Sequence, residues 1–132
     1  MNQPLESQRE SELAYNPTML DHFQNPRNAG ELPSPAVTVE VSNPACGDIL
    51  RLSVLIEEGR LHGVRFKASG CVASIACGSL LTELIQGKTL EEAKRTSAFQ
   101  IAKGLGGLPP ESGHASILAE DALKAILKAA RR

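Results

Sequence analysis

The sequence predicts an α+β domain in which a small antiparallel three-stranded sheet is followed by helices packed on one of its faces. Two observations support this prediction. Between positions 37 and 67, apolar residues alternate with polar ones, which is the period of half-buried strands. From position 71 onward, apolar residues recur at helical spacing between capping residues and glycines. Strands that precede helices in this way are typical of the class.

Each predicted strand has one apolar face. The first strand has valines at positions 37, 39 and 41, and the second has apolar residues at positions 50, 52, 54 and 56. The third strand spans 61–67 and follows a predicted hairpin turn at 57–60, which contains a glycine. Because the connections are short, we expect the strands to pair antiparallel.

One helix is predicted before the sheet. Asn16 has the side chain of an N-cap, and Pro17 suits the first helical position. The helix should end near Asn25-Pro26, because proline disfavours helix in the residue before it. The stretch 26–35, which contains three prolines and a glycine, is then a loop.

The remaining helices are predicted after the sheet. The segment from Cys71 to Gln86 has a helical apolar pattern, and Gly87 is its C-terminal stop. Thr89 opens a short helix through a capping box. A segment at 98–103 precedes a loop at 104–110, and the last helix runs from about His114 to the end.

Composition narrows the class of protein. At 132 residues we expect one domain at 15–132, preceded by a polar flexible tail at 1–14. A net charge of −1 and 3% aromatic residues argue against a nucleic-acid partner. No apolar run is long enough to span a membrane, and no secretory signal is evident. The odd count of three cysteines then predicts a reducing, cytoplasmic setting with free or metal-bound thiols.

Four side chains form a candidate metal site. Cys46 lies in the turn before the second strand, with Asp48 two residues later on the same side. Cys71 lies where the third strand gives way to a helix, and a helix N-terminus favours a thiolate. His114 opens the last helix, where the neutral, metal-ligating ring is favoured. These residues could converge at one end of the domain and offer S, O, S and N ligands to zinc or iron.

Each of these residues also has a simpler interpretation. A cysteine in a small-residue turn is often an inert buried side chain, Asp48 can be a turn residue, and His114 can be a solvated helix start. Cys77 is better explained as a small packed residue, because six helical steps place it about 240° around the helix from Cys71. His22 is expected on a helix surface and His62 near a strand turn.

Taken together, several segments resemble the iron–sulfur cluster assembly scaffold family of the IscU/SufU/NifU N-terminal type. The resemblance extends from Tyr15 to the last helix and depends on the order and spacing of its motifs. These motifs are Asp21-His22-Phe23-Gln24-Asn25-Pro26-Arg27-Asn28-Ala29-Gly30, Asn43-Pro44-Ala45-Cys46-Gly47-Asp48, Gly70-Cys71-Val72-Ala73-Ser74-Ile75-Ala76, Leu81-Thr82-Glu83, Gly87-Lys88 and Leu118-Ala119-Glu120-Asp121-Ala122-Leu123.

The resemblance implies a function and a set of partners. Such a protein is not an enzyme; it takes iron and sulfide, assembles a transient [2Fe–2S] cluster and passes it to recipient apoproteins. Its sulfur comes from a cysteine desulfurase and its iron from an iron donor. Cys46, Asp48, Cys71 and His114 match the family's first cysteine, aspartate, second cysteine and histidine. Zinc is a possible substitute for the cluster at such a site.

The sequence departs from the family pattern at three places. Ala115 follows His114 where the family has its third cysteine, and Cys77 occupies a position usually held by a small residue. Glu111-Ser112 follow Leu108-Pro109-Pro110 where the motif read by chaperones has Val-Lys, which argues against a chaperone interaction. The long insertion that supplies a zinc ligand in SufU proteins is not evident between positions 87 and 107.

Two alternatives to a cluster scaffold or carrier remain open from the sequence. The first is a divergent zinc- or iron-binding regulator that docks on the desulfurase without building clusters. The second is a thiol enzyme that uses Cys71, with His114 as the only base placed to activate it.

Overall fold

The computed structural model describes residues 16–44 and 47–130, so the predicted tail at 1–14 and Cys46 lie outside the described residues. Within these ranges the chain forms three strands, five α-helices and one 3₁₀ turn. The strands are β1 (Val37–Asn43), β2 (Asp48–Glu57) and β3 (Arg60–Ser69). The helices are α1 (Pro17–Gln24), α2 (Val72–Ile85), α3 (Leu90–Ala93), α4 (Ala98–Gly104) and α5 (Gly113–Ala130), with the 3₁₀ turn at Pro110–Ser112.

The strands form one antiparallel sheet in the order β1-β2-β3, as the sequence predicts. Leu52 is at its centre, opposite Val39 on one side and Phe66 on the other. The hairpin between β2 and β3 turns through Glu58 and Gly59, both of which have positive φ angles. Two consecutive positive φ angles match the right-handed twist of the flanking strands.

Helices α2 and α5 cover the same face of the sheet, so the predicted α+β fold is confirmed. The core between these layers is aliphatic, apart from one phenylalanine. Its fully or almost fully buried side chains include Leu50, Leu52, Val54, Val64, Phe66, Leu81, Ile85, Leu123 and Ile126. Gly78 allows the close approach of α2, because a Cβ there would lie 2.7 Å from the Phe66 ring.

The helix boundaries follow the local signals in the sequence. The Asn16 side chain accepts a hydrogen bond from the Met19 N–H at 3.0 Å, and Thr89 forms the predicted capping box. Gly87 ends α2 in the left-handed region, with φ of +81°. Cys71 is the N-cap of α2 rather than its first helical residue.

The expectation that His22 lies on a helix surface is wrong. The residue is 5% exposed, and its Nδ1 atom pairs with the Ser79 hydroxyl at 2.8 Å. The Ser79 hydroxyl also accepts a hydrogen bond from the Arg27 N–H. Ser79 of α2 therefore contacts both α1 and the loop that follows it. The helical apolar pattern does not reveal this burial because the partner lies 57 residues further along the chain.

The long loop after α1 covers part of the free edge of β3. The Gly30 N–H donates to the Phe66 carbonyl, and the Phe66 N–H donates to the Asn28 carbonyl.

In the part of the chain that is described, no helix is both long enough and apolar enough to span a bilayer.

Candidate metal centre

Asp48, Cys71 and His114 meet at one end of the domain, where three separate elements begin. Asp48 is the first residue of β2, Cys71 caps α2, and His114 is the second residue of α5. One ligand atom from each residue lies within 4.8 Å of the other two. The convergence expected for these three residues is therefore present, although they are far apart in sequence.

The distances among the three ligand atoms resemble the edges of a metal tetrahedron. The Asp48 Oδ2 atom lies 3.1 Å from His114 Nε2 and 3.4 Å from Cys71 Sγ. The Cys71 Sγ and His114 Nε2 atoms are 3.9 Å apart. Zinc bonds to sulfur, nitrogen and oxygen at tetrahedral angles would separate these atoms by about 3.4–3.6 Å. Shifts of a few tenths of an ångström would thus let all three bind one ion.

Asp48 is the buried centre of the cluster, with 3% of its surface exposed. Its Oδ2 atom accepts hydrogen bonds from the Ser74 hydroxyl at 2.5 Å, the Cys71 thiol and the His114 Nε2–H. Burial raises the pKa of the carboxyl, but these hydrogen bonds and one from the Cys71 backbone together outweigh burial and hold the pKa below its usual value. Asp48 is therefore a carboxylate at neutral pH and can act as an oxygen ligand.

The two helices that begin at the cluster favour negative charge there. α2 and α5 each direct an N-terminus toward this end of the fold, and unpaired N–H groups at helix N-termini carry partial positive charge. Cys71 and His114 are only partly buried, so the cluster is open to solvent on one side. The site can thus admit an ion from outside.

Sequence reasoning missed two residues that shape this site. Ser74 belongs to the first turn of α2 and donates the shortest hydrogen bond to Asp48. Gly70, with φ of +134°, leaves space for the carboxylate, because a Cβ there would lie 2.1 Å from Asp48 Oδ1. The signal for Ser74 was a lone hydroxyl three residues after Cys71, at a position where the helix is otherwise apolar.

Cys77 and Ala115, two further positions that the sequence singles out, are both buried in the core. Cys77 is fully buried in the core, as expected for a packed residue, and burial raises the pKa of its thiol to about 12. Ala115 is 1% exposed, directly after His114 in α5. Cys46 precedes Asp48 by two residues and lies outside the described residues, so its position relative to the other ligand atoms stays a prediction.

An exposed apolar side chain and a groove lie beside His114. Ile117 is 54% exposed one turn after His114, whereas Ile49, which is 38% exposed, follows Asp48 in β2 and lies on the opposite face of the sheet. A groove of about 290 Å³ runs beside His114, between the end of β1 and the outer side of α5.

Comparison with known proteins identifies relatives along most of the chain. Residues 14–132 match the family model described as the NifU-like N-terminal domain. The iron–sulfur cluster assembly scaffold protein IscU of Azotobacter vinelandii is 46% identical over 120 residues, which cover 88% of this chain and 93% of the relative. An IscU scaffold protein of Archaeoglobus fulgidus is 41% identical over 110 residues, which cover 83% of this chain and 72% of the relative.

Solved structures show the same fold. A crystal structure described only as a hypothetical protein superposes with a TM-score of 0.70 at 28% identity and covers 84% of this chain and 94% of its own. A candidate iron–sulfur cluster assembly scaffold protein for the SUF system, from Fervidobacterium islandicum, superposes with a TM-score of 0.74 at 22% identity. It covers 89% of this chain and 98% of its own.

Proposed function

Because this chain belongs to the NifU-like N-terminal domain family, we propose that it is an iron–sulfur cluster assembly scaffold or carrier. In this function it binds iron and sulfide as a transient [2Fe–2S] cluster and passes the cluster to recipient apoproteins. The single observation that carries the proposal is the meeting of the Asp48, Cys71 and His114 ligand atoms within 4.8 Å of one another. The relatives described as IscU scaffold proteins, at 41–46% identity, support the same function.

The proposed ligands are Cys46, Asp48, Cys71 and His114, which supply two thiolates, a carboxylate and an imidazole. Thiolates are the usual ligands of iron–sulfur clusters, and histidine can replace cysteine on iron. The carboxylate is harder than a thiolate and holds the cluster less firmly, which suits a site that must release its cargo. On binding, Cys71 would release its S–H proton, whereas the ring proton of a neutral His114 would move from Nε2 to Nδ1 so that Nε2 can bind iron; we therefore expect proton release from the thiol.

The proposed partners are a cysteine desulfurase, an iron donor and recipient apoproteins. Ala115 lies where the family's third cysteine is expected, so Cys46 or Cys71 must receive the sulfur. The receiving thiolate attacks the outer sulfur of the desulfurase persulfide, that S–S bond breaks, and the desulfurase cysteine leaves as a thiolate. Ile117, which is exposed one turn after His114 and lines the same groove, supports docking of a partner at this surface. The protein itself turns over no substrate, and we expect it to work in the cytoplasm.

Reconstitution tests the proposal. We expect wild-type protein incubated anaerobically with iron, a desulfurase, cysteine and a thiol reductant, which supplies the two electrons that convert each transferred persulfide sulfur to sulfide, to develop visible sulfur-to-iron charge-transfer absorption and to contain acid-labile sulfide. Cys71→Ala should lose this absorption, whereas Cys77→Ala, in which a core thiol is removed, should keep it. A colourless wild-type product without labile sulfide would contradict the scaffold function.

A second candidate function is a divergent zinc- or iron-binding regulator that docks on the desulfurase without building clusters. The near-tetrahedral spacing of the Asp48, Cys71 and His114 ligand atoms favours it, because one ion is enough to occupy them. This alternative predicts stoichiometric metal that is lost in Cys46→Ala and Cys71→Ala, with no sulfide under any reconstitution condition. Metal and sulfide analysis of the same sample therefore separates the two functions.

A further inference from the structure

We propose that Ser74 is the positioning residue of this centre, and that its hydroxyl orients Asp48 Oδ2 as the ligand oxygen. The inference rests on the proposed function, since it concerns how the same site presents one of its ligands. Neither the family pattern quoted above nor the composition of the ligand set assigns a role to Ser74. The proposal depends on the contacts that hold the Asp48 carboxylate.

Ser74 differs from the other side chains that donate to Asp48 Oδ2. The Cys71 thiol and the His114 Nε2–H also donate, at 3.4 and 3.1 Å, but both groups lose these protons when they bind a metal. The Ser74 hydroxyl lies closer, at 2.5 Å, and is not a usual ligand of zinc or iron. Its hydrogen bond therefore persists in the metal-bound state, where the other two side-chain donors have become ligands.

The position of Ser74 in α2 gives this hydrogen bond a defined direction. Its side chain is buried, with 1% exposed, and its backbone N–H donates to the Cys71 carbonyl at 3.1 Å in the first helical turn. The Cys71 Sγ and Ser74 Oγ atoms are 3.4 Å apart. One rigid turn thus presents a thiol ligand and the hydroxyl that orients the neighbouring carboxylate.

The opposite side of the carboxylate is also confined. The Asp48 Oδ1 atom faces the Gly70 backbone so closely that a Cβ on residue 70 would lie 2.1 Å from it. Oδ1 lies against Gly70, and Oδ2 accepts the hydrogen bond from Ser74. The carboxylate can therefore present only Oδ2 toward Cys71 and His114. Hydrogen bonds that orient a metal ligand in this way typically contribute about 10–100-fold to metal affinity.

A double-mutant cycle with cobalt(II) tests the inference in the full-length protein. Cobalt(II) is the probe because its ligand-field and thiolate charge-transfer bands report on the ligands directly. Wild type, Ser74→Ala, Asp48→Ala and the double variant are titrated anaerobically, and Kd and spectra are recorded. We expect Ser74→Ala to weaken binding about 10–100-fold while the thiolate band persists. In the Asp48→Ala background the same change should alter Kd less than about threefold, because a residue that acts through Asp48 has no effect without it.

The controls separate this role from a general effect on folding. Ser53 is also a buried serine, 1% exposed, and its hydroxyl forms a hydrogen bond with Thr38 Oγ1 in the sheet at 3.0 Å. Because this hydroxyl does not contact the ligands, Ser53→Ala should leave cobalt affinity unchanged. Ser74→Gly, a second variant without the hydroxyl, should reproduce the loss seen with alanine. Equal losses on Ser74→Ala in the wild-type and Asp48→Ala backgrounds, or no loss in wild type, would overturn the inference alone. A folded wild-type protein that binds no cobalt would overturn the proposed function and, with it, the inference.

Discussion

At the scale of single residues, burial separates two thiols that lie six positions apart. Cys71 is partly exposed beside Asp48 and His114, whereas Cys77 is fully enclosed by the core. The helical rotation between them predicts this difference, since six steps turn the side chain to another face. The same reasoning could not identify Ser74, because a hydroxyl in the first turn of a helix is common and its partner Asp48 belongs to another element.

Alkylation should discriminate between these thiols. We expect Cys77 to stay unmodified when the native protein is treated with iodoacetamide at pH 8, because the thiol is inaccessible and its pKa of about 12 leaves almost no thiolate. Peptide mass spectrometry measures the modification at each cysteine. Protein unfolded in guanidinium is the control and should be modified at Cys77, whereas equal rates in the native and unfolded states would contradict the buried position.

At the scale of secondary structure elements, a polar contact fastens α1 to α2. His22 and Ser79 are both buried and hydrogen-bonded to each other. The Ser79 hydroxyl also accepts a hydrogen bond from the Arg27 N–H. Burial is the main cause that lowers the pKa of His22; the positive charge of Arg27 lowers it further, and Glu83 opposes both. The folded protein thus favours the neutral ring more strongly than the unfolded chain does.

This contact predicts how stability depends on pH. Because the folded-state pKa of His22 lies below the unfolded value of about 6.5, the unfolded chain binds the proton more readily. The contribution of His22 to the free energy of unfolding is therefore complete above a pH of about 6.5. It is lost as the pH falls from there toward the lower folded-state pKa. We expect urea unfolding at pH 7.5 and 5.0 to show a smaller pH-dependent loss in His22→Asn than in wild type.

His62 offers a matched control for this experiment. Its side chain is 68% exposed near the β2–β3 hairpin, so His62→Asn should retain the wild-type difference between pH 7.5 and 5.0. An unchanged pH difference in His22→Asn would show that the His22–Ser79 contact is not what links protonation to folding.

At the scale of the whole molecule, the candidate centre joins parts of the chain that are distant in sequence. Asp48 lies 23 residues before Cys71 and 66 before His114, and each side chain begins a different element. The site therefore exists only when the sheet and both long helices are packed together. An ion bound there would hold these elements in their folded arrangement.

We therefore expect zinc to stabilise the folded protein. At a free zinc concentration about 100 times Kd, binding adds roughly 2.7 kcal/mol to the free energy of unfolding, which for a domain of this size raises Tm by about 5–15 °C. Thermal unfolding followed by circular dichroism measures the shift, and a chelator should reverse it. Asp48→Ala and His114→Ala should lose most of the shift, and a shift that is the same in these variants as in wild type would place the ion elsewhere.

The sequence by itself determined the order and type of the elements in this protein. The Asn16 cap, the Thr89 capping box, the Gly87 stop and the turn before Arg60 are local signals, because each depends on backbone groups only a few residues away. The alternating valines of β1 also set which face of that strand packs inward. These signals were enough to predict the three-stranded sheet, its antiparallel pairing and the helices that follow it.

Only the tertiary structure decided which polar side chains act together. The burial of His22, the Ser74 hydrogen bond and the space left by Gly70 all depend on partners from other elements. Such contacts are set by strand register and by the packing of α2 and α5 on the sheet, which fold cooperatively rather than residue by residue. For this reason the sequence predicted only that Asp48, Cys71 and His114 could converge at one end of the domain, and the packed fold set the distances between their ligand atoms.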